Sequence, residues 1–119
     1  MSKKELQRLS TLALHQRKAR LLRTLTLPAD AIHASFLERF LQCGRLNCHC
    51  LQGEKHGPFY YLSRCLPKRR MRTLLLKEPA QILQGRRSVA AYQQLLESLD
   101  QLSWINWELI RRGDLIHAP

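Results

Sequence analysis

Nowhere does this chain run ~20 apolar residues together, the length a helix needs to cross a bilayer. Its first stretch also lacks the apolar core of about 7–15 residues that marks a secretory signal, because Glu5, Arg8, Arg17, Lys18 and Arg20 interrupt it. The expectation is a cytoplasmic protein with no membrane partner. Glycine and proline number only five each in 119 residues, too few for a disordered chain. Carboxylates are scarce, with 9 Asp and Glu in all, and no paired acids or phosphate-cradling glycine loop offers catalytic machinery. Enzymatic activity is not expected. Four cysteines in a reducing compartment read as ligands or free thiols rather than as a disulfide framework.

Against those nine acids stand 20 Lys and Arg, for a formal charge of +11 and a pI near 10.3. The excess is uneven. Residues 1–33 carry 7 basic and 2 acidic groups, residues 34–77 carry 9 and 2, and residues 78–119 carry 4 and 5. A surplus confined to the first two thirds suggests a face for a polyanion, either DNA or RNA. The plainer alternative is a solvated basic surface.

The length suits one compact domain over residues 1–119. Residues 2–26 lack Gly and Pro and space Leu6, Leu9, Leu12, Ala13, Ala19, Leu22 and Leu25 as an amphipathic helix. Ser2 and Glu5 suit its capping box and Pro28 ends it, making residues 1–27 an N-terminal basic helix. From Ala34 the period shortens, with Ser35, Leu37, Arg39 and Leu41 on one face and Phe36, Glu38 and Phe40 on the other. Phe59 to Arg64 reads as a second strand and Met71 to Leu76 as its hairpin partner across a basic turn, Pro67-Lys68-Arg69-Arg70. Residues 34–77 are thus a three-stranded antiparallel sheet with a cysteine-rich loop between its first two strands. In the helical region 78–119, a long helix over 88–112 opens at Ser88 and closes at Gly113. Tyr92, Leu95, Leu99, Leu102, Asn106 and Leu109 step by three and four along it, spacing that suits packing on the first helix or on a second copy of the chain. Trp104 and Trp107 beside this stripe read as packing residues. The fold class is α+β.

Chemistry concentrates between Cys43 and His56, where Cys43, Cys48, Cys50 and His56 form a C-x4-C-x-C-x5-H cluster. Thiolates and imidazole suit Zn2+, whose structural sites take four such ligands in a tetrahedron. Gly44 and Gly53 let the loop turn, and Arg45 and Lys55 favour thiolate over thiol. A loop with so little apolar content gains folding energy from a metal that packing cannot supply. The alternative is that the cysteines are small buried residues and His56 bonds its own turn. Cys65 and His49 are reserve ligands.

Ser35-Phe36-Leu37-Glu38-Arg39, Cys43-Gly44, Cys48-x-Cys50 and Gly53-Glu54-Lys55-His56-Gly57-Pro58-Phe59-Tyr60-Tyr61-Leu62-Ser63, followed by a Leu-rich helix, resemble an uncharacterised family of short bacterial proteins. That family is a domain of unknown function often met near transposases. The resemblance spans roughly residues 34–110; it implies a shared fold and a link to mobile elements, and brings no established activity. Cys65 and the arginine-rich second turn look peculiar to this chain.

The function these residues favour is a small zinc-knuckle-like accessory protein that binds nucleic acid through phosphate contacts. Its candidate contacts are Arg17, Lys18, Arg20 and Arg23 on the first helix and Arg64, Lys68, Arg69, Arg70 and Arg72 on the hairpin. The alternative is an oligomerising adaptor whose C-terminal helix docks on a second copy or on a partner such as a transposase. A metal-dependent nuclease would need carboxylates near the metal, where only Glu38 and Glu54 stand, and a closed Cys3His site leaves no position for water.

Overall fold

The computed structural model describes residues 3–42, 53 and 55–114. It is the expected α+β arrangement, with helices α1 (Lys3–Gln7) and α2 (Thr11–Thr24), strands β1 (Ser35–Leu41), β2 (His56–Leu66) and β3 (Arg70–Leu76), and a long helix α3 (Pro79–Arg112). Two compact units are distinguishable, residues 30–92 and residues 1–29 with 93–119, and α3 contributes to both. Among the described residues no helix is long and apolar enough to cross a membrane.

In the unit of residues 30–92 the strands form one antiparallel sheet in the order β1-β2-β3. The alternation read from the sequence sets the register, with Phe36 opposite Leu62 and Leu62 opposite Leu74. Because side chains alternate across a pleated strand, Phe36, Tyr60, Leu62 and Leu76 share one face. The first turns of α3 close over that face, burying Leu62, Leu76 and Val89 against Ala34, Phe36, Tyr60 and Ile82. Arg86 lies over the Phe36 ring, its guanidinium carbon 4.7 Å from the centroid.

The start of α3 differs from the expectation. Rather than opening at Ser88, the helix begins at Pro79, a residue preorganised for a first helical position. The Gln81 side chain accepts from the Lys77 and Glu78 amides and so caps the new end. Ser88 lies inside the helix, 2% exposed; its hydroxyl accepts from Gln84 and its carbonyl from the Ile32 amide. Gly85 lies in the turns that precede Ser88, facing the sheet. A β-carbon there would sit 2.8 Å from Leu76 Cδ1 and 3.5 Å from Leu62 Cδ2, so any side chain requires the Leu76 tip to shift and a large one would push the helix off the sheet.

The N-terminal helix is broken. Ser10, read as helix interior, is the N-cap of α2, its hydroxyl oxygen accepting from the Ala13 amide at 3.1 Å. The α1 segment ahead of it turns off through the Arg8 and Leu9 amides, which donate to the Glu5 and Leu6 carbonyls. Leu6 and Leu14 bury with Ile105 and Leu109, and Leu9, Leu21 and Trp104 pack around them.

Glu108, 2% exposed, sits beside this core and receives Arg111 at 2.6 Å and Arg112 at 2.9 Å. Arg112 also donates to the Gln7 and Leu9 carbonyls and to the Thr11 hydroxyl, satisfying backbone acceptors that the break between α1 and α2 exposes. The hydrogen bond from Arg111, helped by Arg112, holds the Glu108 carboxyl down to about 2 from an ordinary 4.5, against a burial that pushes it up. The predicted seam on α3 is divided: Leu109 is fully buried in this core, Leu99 remains 43% exposed, and Tyr92 stacks on His33 at 4.7 Å. Trp104 packs as expected, whereas Trp107 is exposed at its edge, with the Lys3 ammonium over both rings.

Two outcomes follow from this packing. Gly85→Leu is expected to lower the unfolding free energy by about 1–3 kcal/mol in urea titrations, the usual cost of overpacking, and Gly85→Ala by much less. A depressed carboxyl contributes stability above its unfolded value that is lost as pH falls through the folded one. The thermal midpoint should therefore drop between about pH 4.5 and pH 2, and Glu108→Gln should flatten that part of the curve.

Candidate nucleic-acid interface

Strand β2 is longer than the ladder it makes with β1. Pairing with β1 reaches only Ser63 opposite Ser35, whereas pairing with β3 continues through Arg64–Arg72, Cys65–Met71 and Leu66–Arg70. Residues 64–72 therefore extend past the end of β1 as a two-stranded ribbon. Five of these nine residues are Lys or Arg and none is acidic. The hairpin set read from the sequence, Arg64, Lys68, Arg69, Arg70 and Arg72, is gathered on this one element and all five are exposed.

The ribbon is built against its own stability. Arg64 and Arg72 are direct cross-strand partners, and like charges placed so are destabilising. At the tip, Lys68 and Arg69 adopt φ of 64° and 57°, a left-handed backbone that costs a residue with a β-carbon about 1–2 kcal/mol. Hairpin turns of positive φ ordinarily use Asn, Asp or Gly. Among the described residues no carboxylate pairs with any of the five cations.

Arg17, Lys18, Arg20 and Arg23 lie on α2, in the other unit. Arg17, Arg20 and Arg23 are exposed and Lys18 is half-buried. Arg17 and Arg20, one helical turn apart, border an apolar pocket with Leu6, Leu21, Thr24, Gln101 and Ile105.

Of the predicted zinc ligands, Cys43, Cys48 and Cys50 lie outside the described residues, as does His49. His56 is described: half-buried, it opens β2 opposite Leu41, the last residue of β1. The ladder so brings the α-carbons of Leu41 and His56 to about 5 Å from each other. The ladder shifts register between Arg39 and Leu41. There Gly57 takes φ of 146°, and a β-carbon on it would meet the Arg39 carbonyl at 2.8 Å. The glycine of the His-Gly-Pro motif is thus a backbone requirement of this bulge. Cys65 cannot join His56 on one ion, since it stands nine residues further along the same strand, about 30 Å away. Its thiol instead lies 3.0 Å from Met71 Sδ. Among the described residues no three His, Cys, Asp or Glu side chains converge as metal ligands.

A family model described as Domain of unknown function (DUF6788) matches residues 4–82, more than half of the chain. The chain belongs to that family. The match takes in both N-terminal helices, the whole sheet and the first turn of α3, and so begins earlier and ends sooner than the stretch that carried the resemblance in sequence. No curated protein and no solved structure matches.

Arg86 carries no local signal in the sequence, because its partner Phe36 is fifty residues away. The left-handed tip was equally hidden, since Lys and Arg carry no signal for positive φ. Lys68→Asn with Arg69→Gly is expected to raise the unfolding free energy by roughly 1 kcal/mol, measured by urea denaturation; a loss would show that the tip is not strained.

Proposed function

We propose that the chain is a small accessory protein that binds nucleic acid, with the β2–β3 ribbon as its principal contact. The observation that carries this reading is the ribbon itself: five cations on nine residues, with no carboxylate partner among the described residues, two of them opposed across the strands and two on strained backbone. A fold that needed only solubility gains nothing from that concentration. A polyanion relieves the repulsion, and a two-stranded ribbon has the dimensions to enter a major groove. Phosphate contacts of this kind position a protein without specifying bases. Arg17, Lys18, Arg20 and Arg23 supply a second set of phosphate partners on α2.

The cysteine-rich segment joins the proposal on its sequence. Cys43, Cys48 and Cys50 with His56 are the proposed ligands of a structural Zn2+, which would supply folding energy to a segment poor in apolar residues. The proposed role is binding rather than catalysis, in the cytoplasm, and the resemblance to proteins met near transposases is what supports a link to a mobile element.

A second reading rests on α3, which exposes Leu96, Leu99, Trp107 and Ile110 at 43–62%. Positions 96, 99, 103, 106 and 110 step by three and four, and Asn106 Oδ1 is buried without a hydrogen-bond partner among the described residues. Self-association along this stripe, or docking of a protein such as a transposase, is the alternative role.

Mobility-shift titrations at several salt concentrations test the first reading. The slope of log affinity against log salt should be about −4 or steeper, and Arg64→Gln with Arg72→Gln should make it shallower by roughly 2. Affinity indifferent to salt overturns the proposal. Metal analysis tests the cysteines separately: about one zinc per chain is expected, lost in Cys48→Ser with Cys50→Ser.

A further inference from the structure

The pocket on the helical unit has a composition that phosphate binding alone does not require. Beside the core of Leu14 and Leu109, the side chains of Leu6, Leu21 and Ile105 line a recess of about 200 Å3 whose border carries Arg17, Arg20, Thr24 and Gln101. An apolar cavity of ~150 Å3 admits a benzene ring, so this one takes a small ring system but not a drug-sized ligand, for which ~300 Å3 or more is usual.

Its polar groups are of three kinds. Arg17 and Arg20 have no carboxylate partner among the described residues and offer paired donors to an anion. The Thr24 hydroxyl donates to the Arg20 and Leu21 carbonyls at 3.3 and 3.1 Å; with its proton committed to the helix, its oxygen presents only lone pairs to the pocket. Gln101 brings an amide that both donates and accepts, with no partner among the described residues. A fatty acyl chain would satisfy the arginines and the apolar wall yet leave Thr24 and Gln101 unmatched. A nucleobase satisfies all of them, since it has apolar faces, N–H donors and acceptors on its edges, and a phosphate attached through its sugar.

We infer that this pocket receives one unpaired base of a single-stranded nucleic acid, with the flanking phosphates on Arg17 and Arg20. A strand rather than a free nucleotide is indicated by Arg23, exposed on the same helix outside the pocket, which supplies one cation more than the two on its border. The inference rests on the nucleic-acid reading proposed above and adds to it a preference for unpaired residues.

Fluorescence anisotropy with three oligonucleotides of equal length at one salt concentration tests it: a single strand, the same strand with abasic sites, and a duplex. The single strand should bind about 10-fold more tightly than its abasic counterpart, from apolar burial of the base faces and the hydrogen bonds of its edge. Thr24→Val with Gln101→Leu, which changes no charge, should remove that difference and leave both the abasic affinity and the salt slope unchanged. Equal affinity for the base-bearing and abasic strands overturns the inference while the phosphate reading stands. No binding of any of the three at low salt overturns both. Competition by a free mononucleotide, with no preference between the two strands, would assign the pocket to a small molecule and likewise overturn it.

Discussion

The contact on which the sheet unit depends is the approach of α3 to Leu62 and Leu76 at Gly85. With no β-carbon at that turn the helix lies against the sheet closely enough to bury Val89 beside those two leucines, and this is the apolar interior that the described part of the unit possesses. Its location decides what is left over. The helix covers the strands where β1 and β2 overlap, and the hairpin beyond Ser63 has no third strand beside it. A basic ribbon that projects past the sheet is thus a result of where the core ends.

The two units solve the problem of charge in different ways. Around Glu108 a buried carboxylate is matched by two guanidiniums, and the surplus donors of Arg112 take up backbone acceptors left by the break after α1. A buried charge is tolerable only when it is so completely matched. The ribbon shows the opposite arrangement, in which cations face one another across the strands and no acid answers them among the described residues. The first pattern serves the fold. The second leaves like charges facing one another on an exposed element.

Much of the architecture was readable from residue order. The alternation after Ala34 and the aromatic run from Phe59 read as strands that the sheet contains, and the basic turn located the hairpin to within a residue. Errors arose where a side chain has a meaning that only distant partners supply. Ser88 reads as the opening cap of α3, yet it lies buried inside the helix, which starts nine residues earlier at Pro79. Ser10 reads as a tolerated helix residue, whereas its hydroxyl caps a new helix. The heptad-like stripe was a real periodicity whose members separate between core and surface, as Leu109 and Leu99 do. The cysteine cluster is plain in sequence, and the structure adds to it only the position of His56, opposite Leu41. The pocket was illegible, because Arg17 and Gln101 are brought together by packing and not by spacing.

Strand β3 is an outer strand of this sheet, with Met71, Leu74 and Leu75 exposed along it. A bare edge with such side chains invites another chain to add itself by backbone hydrogen bonding, and charged residues are the usual guard against that. Arg70 and Arg72 fill that office, since a second copy laid alongside would set arginine near arginine. Their guard is electrostatic and therefore conditional: it weakens as salt screens the charges, and the same edge then becomes more adhesive.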